Sequence, residues 1–186
     1  GYLTIQQIEY DGFDERFLLN YPNEEVRESF IRYVVASFVG KNEFELQSEA
    51  LKLRDALREE RIADFTMHLQ SFLADIPARL HIDREAYYHS LVYMILRLVG
   101  VQLILEKETD KGRIDAVLEL PDKIYIIEFK FGTSNRMKNA EKLANKAIQQ
   151  IEEKQYQEAY LSSNKRILLL GFGYSNKELG FTKKEL

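Results

Sequence analysis

The chain has 186 residues, and its 26 lysine and arginine residues against 30 aspartate and glutamate residues give a formal net charge of -4. Hydrophobic residues make up 45% and charged residues 30%, which is typical of a soluble globular protein and excludes a disordered or membrane composition. The acidic balance argues against a protein that coats nucleic acid indiscriminately, although it is compatible with a local basic patch.

The absence of cysteine excludes disulfides, thiolate zinc sites and cysteine nucleophiles within this sequence. The histidines, His68, His81 and His89, lack a paired spacing such as HExxH, so any metal would be held mainly by oxygen atoms. No apolar run is long enough to span a bilayer and no secretory signal is visible. Because the sequence has no cysteine, we expect a reducing, cytoplasmic setting. No methionine precedes Gly1, and we therefore expect further domains upstream.

Residues 1–78 are predicted to form a hairpin followed by a mainly helical segment. Residues 2–10 alternate loosely, and Phe17-Leu18-Leu19 indicates a short strand before the turn at Pro22. Apolar residues at three- and four-residue spacing then predict helices over residues 24–39, 45–59 and 62–73.

Residues 79–186 are predicted to form an α/β domain. Asp83 is a candidate cap for a helix that runs to Val99 and ends at Gly100. A long helix is predicted over residues 137–160, and strands are predicted over residues 102–108, 113–120, 123–131 and, as the final strand, 166–174. In this order the long helix forms a right-handed crossover between parallel strands.

The turn at Pro121-Asp122 brings a candidate site together. If this pair centres a hairpin, Asp115 lies opposite Glu128 for either a two- or a four-residue loop. Directly opposed residues share a face, and their first side-chain carbons lie about 5 Å apart. Two carboxylates at that distance repel by roughly 3 kcal/mol at an effective dielectric constant near 20, so we expect a compensating positive charge.

The strand that carries Glu128 is apolar on both faces before its charges begin, as expected of an interior strand. Lys130 shares the face of Glu128, and Asp115 joins them from the neighbouring strand. A hard cation such as Mg²⁺ or Mn²⁺ would neutralise the carboxylates, with the backbone carbonyl of Phe129 as a further ligand. A surface salt-bridge cluster is the alternative interpretation, but the hairpin register and the apolar flanks favour a site.

These residues resemble a known family. Gly112-Arg113-Ile114-Asp115 followed by Ile126-Ile127-Glu128-Phe129-Lys130 is similar to the D…(E/D)xK signature of the PD-(D/E)XK nuclease superfamily. More narrowly, it resembles the nuclease domain at the C-terminus of bacterial AAA-ATPase-like proteins. The resemblance covers residues 77–174, and residues 1–5 with Tyr21-Pro22-Asn23 are similar to the segment that joins ATPase and nuclease. No proline precedes the candidate aspartate, since Asp115 follows Ile114, and this variation is common in the superfamily.

The resemblance implies a restriction-endonuclease-like mixed sheet flanked by helices, after an N-terminal mainly helical segment. It implies metal-dependent phosphodiester hydrolysis, with DNA as the expected nucleic acid and an upstream AAA-ATPase-like domain as a partner in the same polypeptide. Asp115 and Glu128 would hold Mg²⁺ or Mn²⁺, while Lys130 positions or deprotonates water and stabilises developing charge. The alternative is a catalytically idle module that binds nucleic acid, a protein partner or its own ATPase domain.

Two accessory positions also resemble the superfamily. The helix before the sheet often supplies a glutamate, and Glu85 occupies that place, with His89 one turn later on the same face. The alternatives are a first-turn glutamate favoured by the helix dipole and a partly buried, hydrogen-bonded histidine.

The helix after the third strand often carries a glutamine near the site, and Gln149-Gln150 with Tyr156 resembles this feature. On a helical wheel Gln150 lies about 100° from the buried position Ile151, whereas Gln149 points nearly opposite, so Gln150 is the candidate. Four basic residues near the start of this helix would either follow a phosphate backbone or form a solvated face: Arg136, Lys138, Lys142 and Lys146.

Overall fold

The computed structural model describes residues 2–82, 84–99, 103–132 and 139–186, without the side chains of Ala78 and Glu85. The helices are α1 (Glu24–Val39), α2 (Glu43–Arg58), α3 (Ile62–Asp75), α4 (Glu85–Leu98) and α5 (Ala140–Glu153), with short 3-10 helices at Ala78–Leu80 and Tyr156–Tyr160. The strands are β1 (Thr4–Tyr10), β2 (Glu15–Asn20), β3 (Leu103–Thr109), β4 (Gly112–Glu119), β5 (Lys123–Gly132), β6 (Arg166–Ser175) and β7 (Glu178–Glu185). The predicted α/β class, a mixed sheet flanked by helices after a mainly helical segment, is confirmed.

Local capping signals explain where the N-terminal helices begin. The Asn23 side chain accepts a hydrogen bond from the backbone N–H of Val26 at the start of α1, and Gly40 ends this helix in a left-handed conformation. Asn42 and Glu45 form a reciprocal capping box at the start of α2. The preceding strands, β1 and β2, pair antiparallel as the predicted hairpin.

The five-stranded sheet has the order β3-β4-β5-β6-β7. Strands β3, β4 and β5 form an antiparallel meander, β5 and β6 are parallel and connected through α5, and β7 pairs antiparallel with β6. The prediction that the strand at residues 166–174 is the last one is wrong, because β7 follows β6. This last strand lies at an edge and ends in charged residues, which obscure its apolar pattern. A tight turn precedes it, with positive φ angles at Asn176 and Lys177.

The long helix predicted over residues 137–160 is wrong after Glu153, and its predicted start at residues 137 and 138 lies outside the described residues. Helix α5 ends at Glu153, and Gln155 takes a left-handed conformation with a φ of 52°. The chain then turns into a 3-10 helix, in which the buried Tyr156 donates a hydrogen bond to the backbone carbonyl of Arg113 at 2.9 Å. A contact between such distant segments leaves no local signal in the sequence.

Each face of the sheet has its own hydrophobic cluster. On one face, the helices α1 to α4 pack against the sheet, and the rings of Phe65 and Phe172 lie 5.6 Å apart. On the other face, α5 and the second 3-10 helix pack against β4, β5 and β6. A Cβ atom at Gly171 would lie 2.3 Å from the carbonyl oxygen of Ala144, so glycine permits this close approach of α5. The helical segment therefore shares a core with the sheet, and a division into residues 1–78 and 79–186 stays a prediction.

Several predicted element boundaries lie at or beyond the edge of the described residues. Arg84 occupies its N-cap position without a side-chain hydrogen bond, while the predicted cap Asp83 and the predicted end at Gly100 lie outside the described residues. Gln102, the predicted start of β3, lies outside them as well. Within the described ranges, no helix combines the length and the apolarity needed to cross a membrane.

Candidate functional site

The β4–β5 hairpin has the register that the turn at Pro121-Asp122 predicts. Ala116 pairs with Ile127, and three further pairs continue this register toward the turn. Asp115 and Glu128 immediately flank the paired segment. At this point the carboxylate of Asp115 accepts a hydrogen bond from the backbone N–H of Phe129 at 2.8 Å. A side chain of β4 thus bonds the β5 backbone where the ladder of the two strands ends.

The two carboxyl groups are buried close to each other. Asp115 is 6% exposed and Glu128 is 2% exposed. Burial, followed by the negative charge of Asp115, raises the pKa of Glu128 to about 7, although Lys130 opposes the shift. Burial also raises the pKa of Asp115, while the Phe129 N–H and the nearby charges of His89 and Lys130 oppose it. The structure therefore holds two acidic groups where their ionised forms repel each other.

One oxygen of Glu128 is fully engaged, whereas the other is not. Glu128 Oε1 accepts a hydrogen bond from Lys130 Nζ at 3.0 Å and another from Gln150 Nε2. Glu128 Oε2 is buried and has no hydrogen-bond partner among the residues that the structure describes. Because a buried carboxylate oxygen normally has a donor or a cation beside it, this atom is an open acceptor at the site.

The donor set fits a hard divalent cation. Carboxylate oxygens of Asp115 and Glu128 are the ligand type that Mg²⁺ and Mn²⁺ prefer, and the open acceptor at Glu128 Oε2 is where a cation would offset the repulsion. In the described part of the chain, no three His, Cys, Asp or Glu side chains are grouped so that they could hold a metal. The backbone of Glu85 begins α4, but its side chain lies outside the described residues, and its predicted role stays a prediction.

Helix α4 brings a histidine and a tyrosine toward the site. The ring of His89 lies 4.8 Å from that of Phe131, and its Nδ1 atom is 3.4 Å from the hydroxyl of Tyr93. Burial raises the pKa of Tyr93, and the charges of Asp115 and Glu106 raise it further. Sequence reasoning missed Tyr93, although its position one turn after His89 on the same helix face was an available signal.

The two glutamines of α5 lie in different surroundings. Gln150 contacts Glu128, as described above, whereas the amide of Gln149 donates to the exposed Glu153 at 2.7 Å. Burial raises the pKa of Tyr156, as does the charge of Glu128, while a hydrogen bond with Gln150 lowers it. The structure therefore brings Gln150 and Tyr156 together beside Glu128 and leaves Gln149 outside the site.

The basic residues near the start of α5 are only partly described. Lys142 and Lys146 are exposed on this helix, whereas Arg136 and Lys138 lie outside the described residues. Arg113 is a further positive charge near the site, because it lowers the pKa of Asp115. Its side chain is about half exposed and lies 3.3 Å from the carboxylate of Glu106.

Comparison with known proteins relates the chain to a curated relative and to a family model. A curated relative from Azotobacter chroococcum mcd 1, described as an uncharacterized protein in the vnfD 5′ region, is 28% identical over 194 aligned residues. The alignment covers all of this chain but 36% of that relative, so the chain spans about a third of its length. No solved structure matches the chain. A family model for the PD-(D/E)XK nuclease superfamily matches residues 83–184, which is more than half of the chain and includes Asp115, Glu128 and Lys130. The chain belongs to the PD-(D/E)XK nuclease superfamily.

Proposed function

We propose that this chain carries out metal-dependent hydrolysis of phosphodiester bonds in nucleic acid, with DNA as its substrate. The observation that carries the proposal is the buried Oε2 atom of Glu128, which has no hydrogen-bond partner among the described residues and lies near the second buried carboxyl group, Asp115. Membership of a nuclease superfamily supports the reaction class. The open acceptor supports the requirement for a cation, because Lys130 bonds Glu128 Oε1 and leaves Oε2 without a donor among the described residues.

The residues that would hold the metal are Asp115 and Glu128, joined by the backbone carbonyl of Phe129 and by Glu85. When bound there, Mg²⁺ or Mn²⁺ supplies Lewis acidity toward a phosphate oxygen and lowers the pKa of a bound water. The chain itself provides the buried position, which strengthens every electrostatic interaction in the site.

Lys130 would act on the substrate. Its side chain is 27% exposed, so the ammonium group reaches the surface while it donates to Glu128 Oε1. From there it can donate to a phosphate oxygen or orient the attacking water, and its charge stabilises the negative charge that develops as the leaving oxygen departs. Gln150 holds the other side of the same Glu128 oxygen and thereby fixes the orientation of this carboxylate.

The partners of the whole protein are part of the proposal. The resemblance implies an upstream AAA-ATPase-like domain in the same polypeptide. The curated relative is long enough to contain further domains, since the chain spans about a third of its length. Such a domain would capture or present the nucleic acid to the site. Lys142 and Lys146 on the exposed side of α5 would contact the phosphate backbone.

A cleavage assay with Mn²⁺ and single- or double-stranded DNA tests the proposal. We expect weak nicking or end-trimming by the parent chain. Lys130→Ala should remove cleavage and retain metal binding, whereas Glu128→Gln should lose both. Undiminished cleavage by Lys130→Ala would point to a contaminating nuclease or another site. If the full-length protein with ATP and metal binds DNA or RNA but cleaves neither, the idle binding module is the correct function.

A further inference from the structure

A cavity of about 380 Å³ lies between α1, α2, the end of α4 and the start of β3. Asp115, Glu128 and Lys130 do not line it, so it is separate from the carboxylate site. Its apolar wall includes Ile31 and Leu98. Its volume lies within the range of small-molecule binding sites in proteins.

Three arginines from three different helices line this cavity: Arg32, Arg54 and Arg97. The Nε atom of Arg54 is buried and has no hydrogen-bond partner within the described chain, because the carboxylate of Asp55 is 3.9 Å away. Arg32 and Arg97 form no ion pair among the described residues. Burial lowers the pKa of Arg97, and the positive charge of the nearby Arg27 lowers it further, while the negative charge of Glu24 opposes the shift.

The acidic residues of the cavity do not balance these cations. Glu24 and Glu28 also line it, but the carboxylate of Glu24 is 2.9 Å from Arg27, which competes for it. Glu28 is exposed on α1. A partly buried guanidinium without an acceptor is unfavourable, so a bound anion would stabilise the arginines that line the cavity.

We propose that this cavity binds a nucleotide-sized ligand through its phosphate group. Arginine presents its N–H donors in a planar fork that matches the oxygens of a phosphate. The base and sugar of the ligand would contact the apolar wall at Ile31 and Leu98. The ligand would contact both α1 and α2, which precede the nuclease-family segment at residues 83–184, and α4, which lies within that segment. It would thereby connect the two parts of the chain. This site does not depend on phosphodiester hydrolysis by the carboxylate site.

Calorimetric titration of the 186-residue chain with AMP tests the proposal. EDTA is present so that no metal brings phosphate to the carboxylate site. Inorganic phosphate, adenosine and a 5′-phosphorylated single-stranded oligonucleotide are titrated in parallel. We expect AMP to bind saturably and adenosine to bind at least about tenfold more weakly, because the phosphate supplies the charge-assisted hydrogen bonds.

The variants distinguish binding in the cavity from nonspecific attraction of the ligand to positive charge on the helices. Arg54→Gln and Arg97→Gln should each weaken AMP binding by at least about tenfold. Arg58→Gln is the matched control, because Arg58 is exposed one turn further along α2 and does not line the cavity. If an arginine variant fails to fold, Gln47→Glu replaces it, since this exposed lining residue would repel the phosphate without removing an arginine.

Each outcome decides one part of the proposal. Tighter binding of the oligonucleotide than of AMP, with the same dependence on Arg54 and Arg97, would support the phosphate site and identify a nucleic-acid strand as its source. Inorganic phosphate that binds as tightly as AMP would overturn the nucleotide-sized ligand. The proposal is overturned if no phosphate-bearing probe binds saturably up to about 5 mM. It is equally overturned if Arg97→Gln and Gln47→Glu bind AMP as the parent does.

Discussion

Replacement of Glu128 by glutamine should stabilise the metal-free protein at alkaline pH. Burial and the charge of Asp115 raise the pKa of Glu128 from 4.5 to about 7. A shift of this size corresponds to about 3 kcal/mol, which is the amount by which ionisation of Glu128 lowers the free energy of unfolding. Glutamine removes the charge, and its amide oxygen can accept the same hydrogen bonds from Lys130 and Gln150.

The sign of the pH dependence follows from the raised pKa of Glu128. Between pH 4.5 and about 7 the folded protein binds more protons at this group than the unfolded chain does, so stability falls as the pH rises through this window. The loss of stability from ionised Glu128 is nearly absent at pH 4.5 and reaches its full size above about pH 7. The gain from Glu128→Gln should therefore be about 3 kcal/mol at pH 8 and less than about 1 kcal/mol at pH 5.

Urea denaturation followed by circular dichroism, in EDTA at both pH values, measures these free energies of unfolding. Glu153→Gln is the matched control, because Glu153 is exposed on α5, and it should change stability by less than about 0.5 kcal/mol at either pH. Added Mn²⁺ should stabilise the parent and leave Glu128→Gln unchanged. If Glu128→Gln destabilises the protein equally at pH 5 and pH 8, the neighbouring donors already compensate the carboxylate and the argument for a cation fails.

Three further predictions concern the site and its support. Asp115→Asn should abolish the rise in melting temperature that Mg²⁺ or Mn²⁺ gives the parent, and equal gains in a thermal scan would show that the ion binds elsewhere. Gln150→Ala should slow cleavage of DNA with Mn²⁺, whereas Gln149→Ala should cleave at the parent rate, because only Gln150 contacts Glu128. Equal rates of the two variants would exclude the positioning role. Gly171→Ala should lower the free energy of unfolding in urea by at least about 1–3 kcal/mol, because its Cβ would overlap the α5 backbone, and an unchanged midpoint would contradict this packing.

Much of the candidate site follows from local sequence because it lies on one hairpin. A turn at Pro121-Asp122 sets the register, and the pairing of Ala116 with Ile127 confirms it. The spacing of two between Glu128 and Lys130 places both side chains on one face, and the structure shows them 3.0 Å apart. Helical periodicity likewise predicts that Gln150 faces the site and Gln149 does not, because both residues belong to one regular helix.

The remaining features depend on segments far apart in the chain. The break after α5 brings Tyr156 to the carbonyl of Arg113, and β7 is a strand because β6 offers it a partner. Neither the break after α5 nor the strand β7 has a strong local sequence preference for its structure.

Sequence patterns alone predict the α/β class, the N-terminal helices, the hairpin register and the three charged residues of the candidate site. These depend on periodicity, capping and turn chemistry, which act over a few residues. Tertiary packing sets how deeply the carboxyl groups are buried and where the three arginines meet around a cavity. It also sets which oxygen of Glu128 lacks a donor among the described residues. Burial and charge compensation arise from the packing of distant elements around a group, and the order of residues along one element does not contain that information.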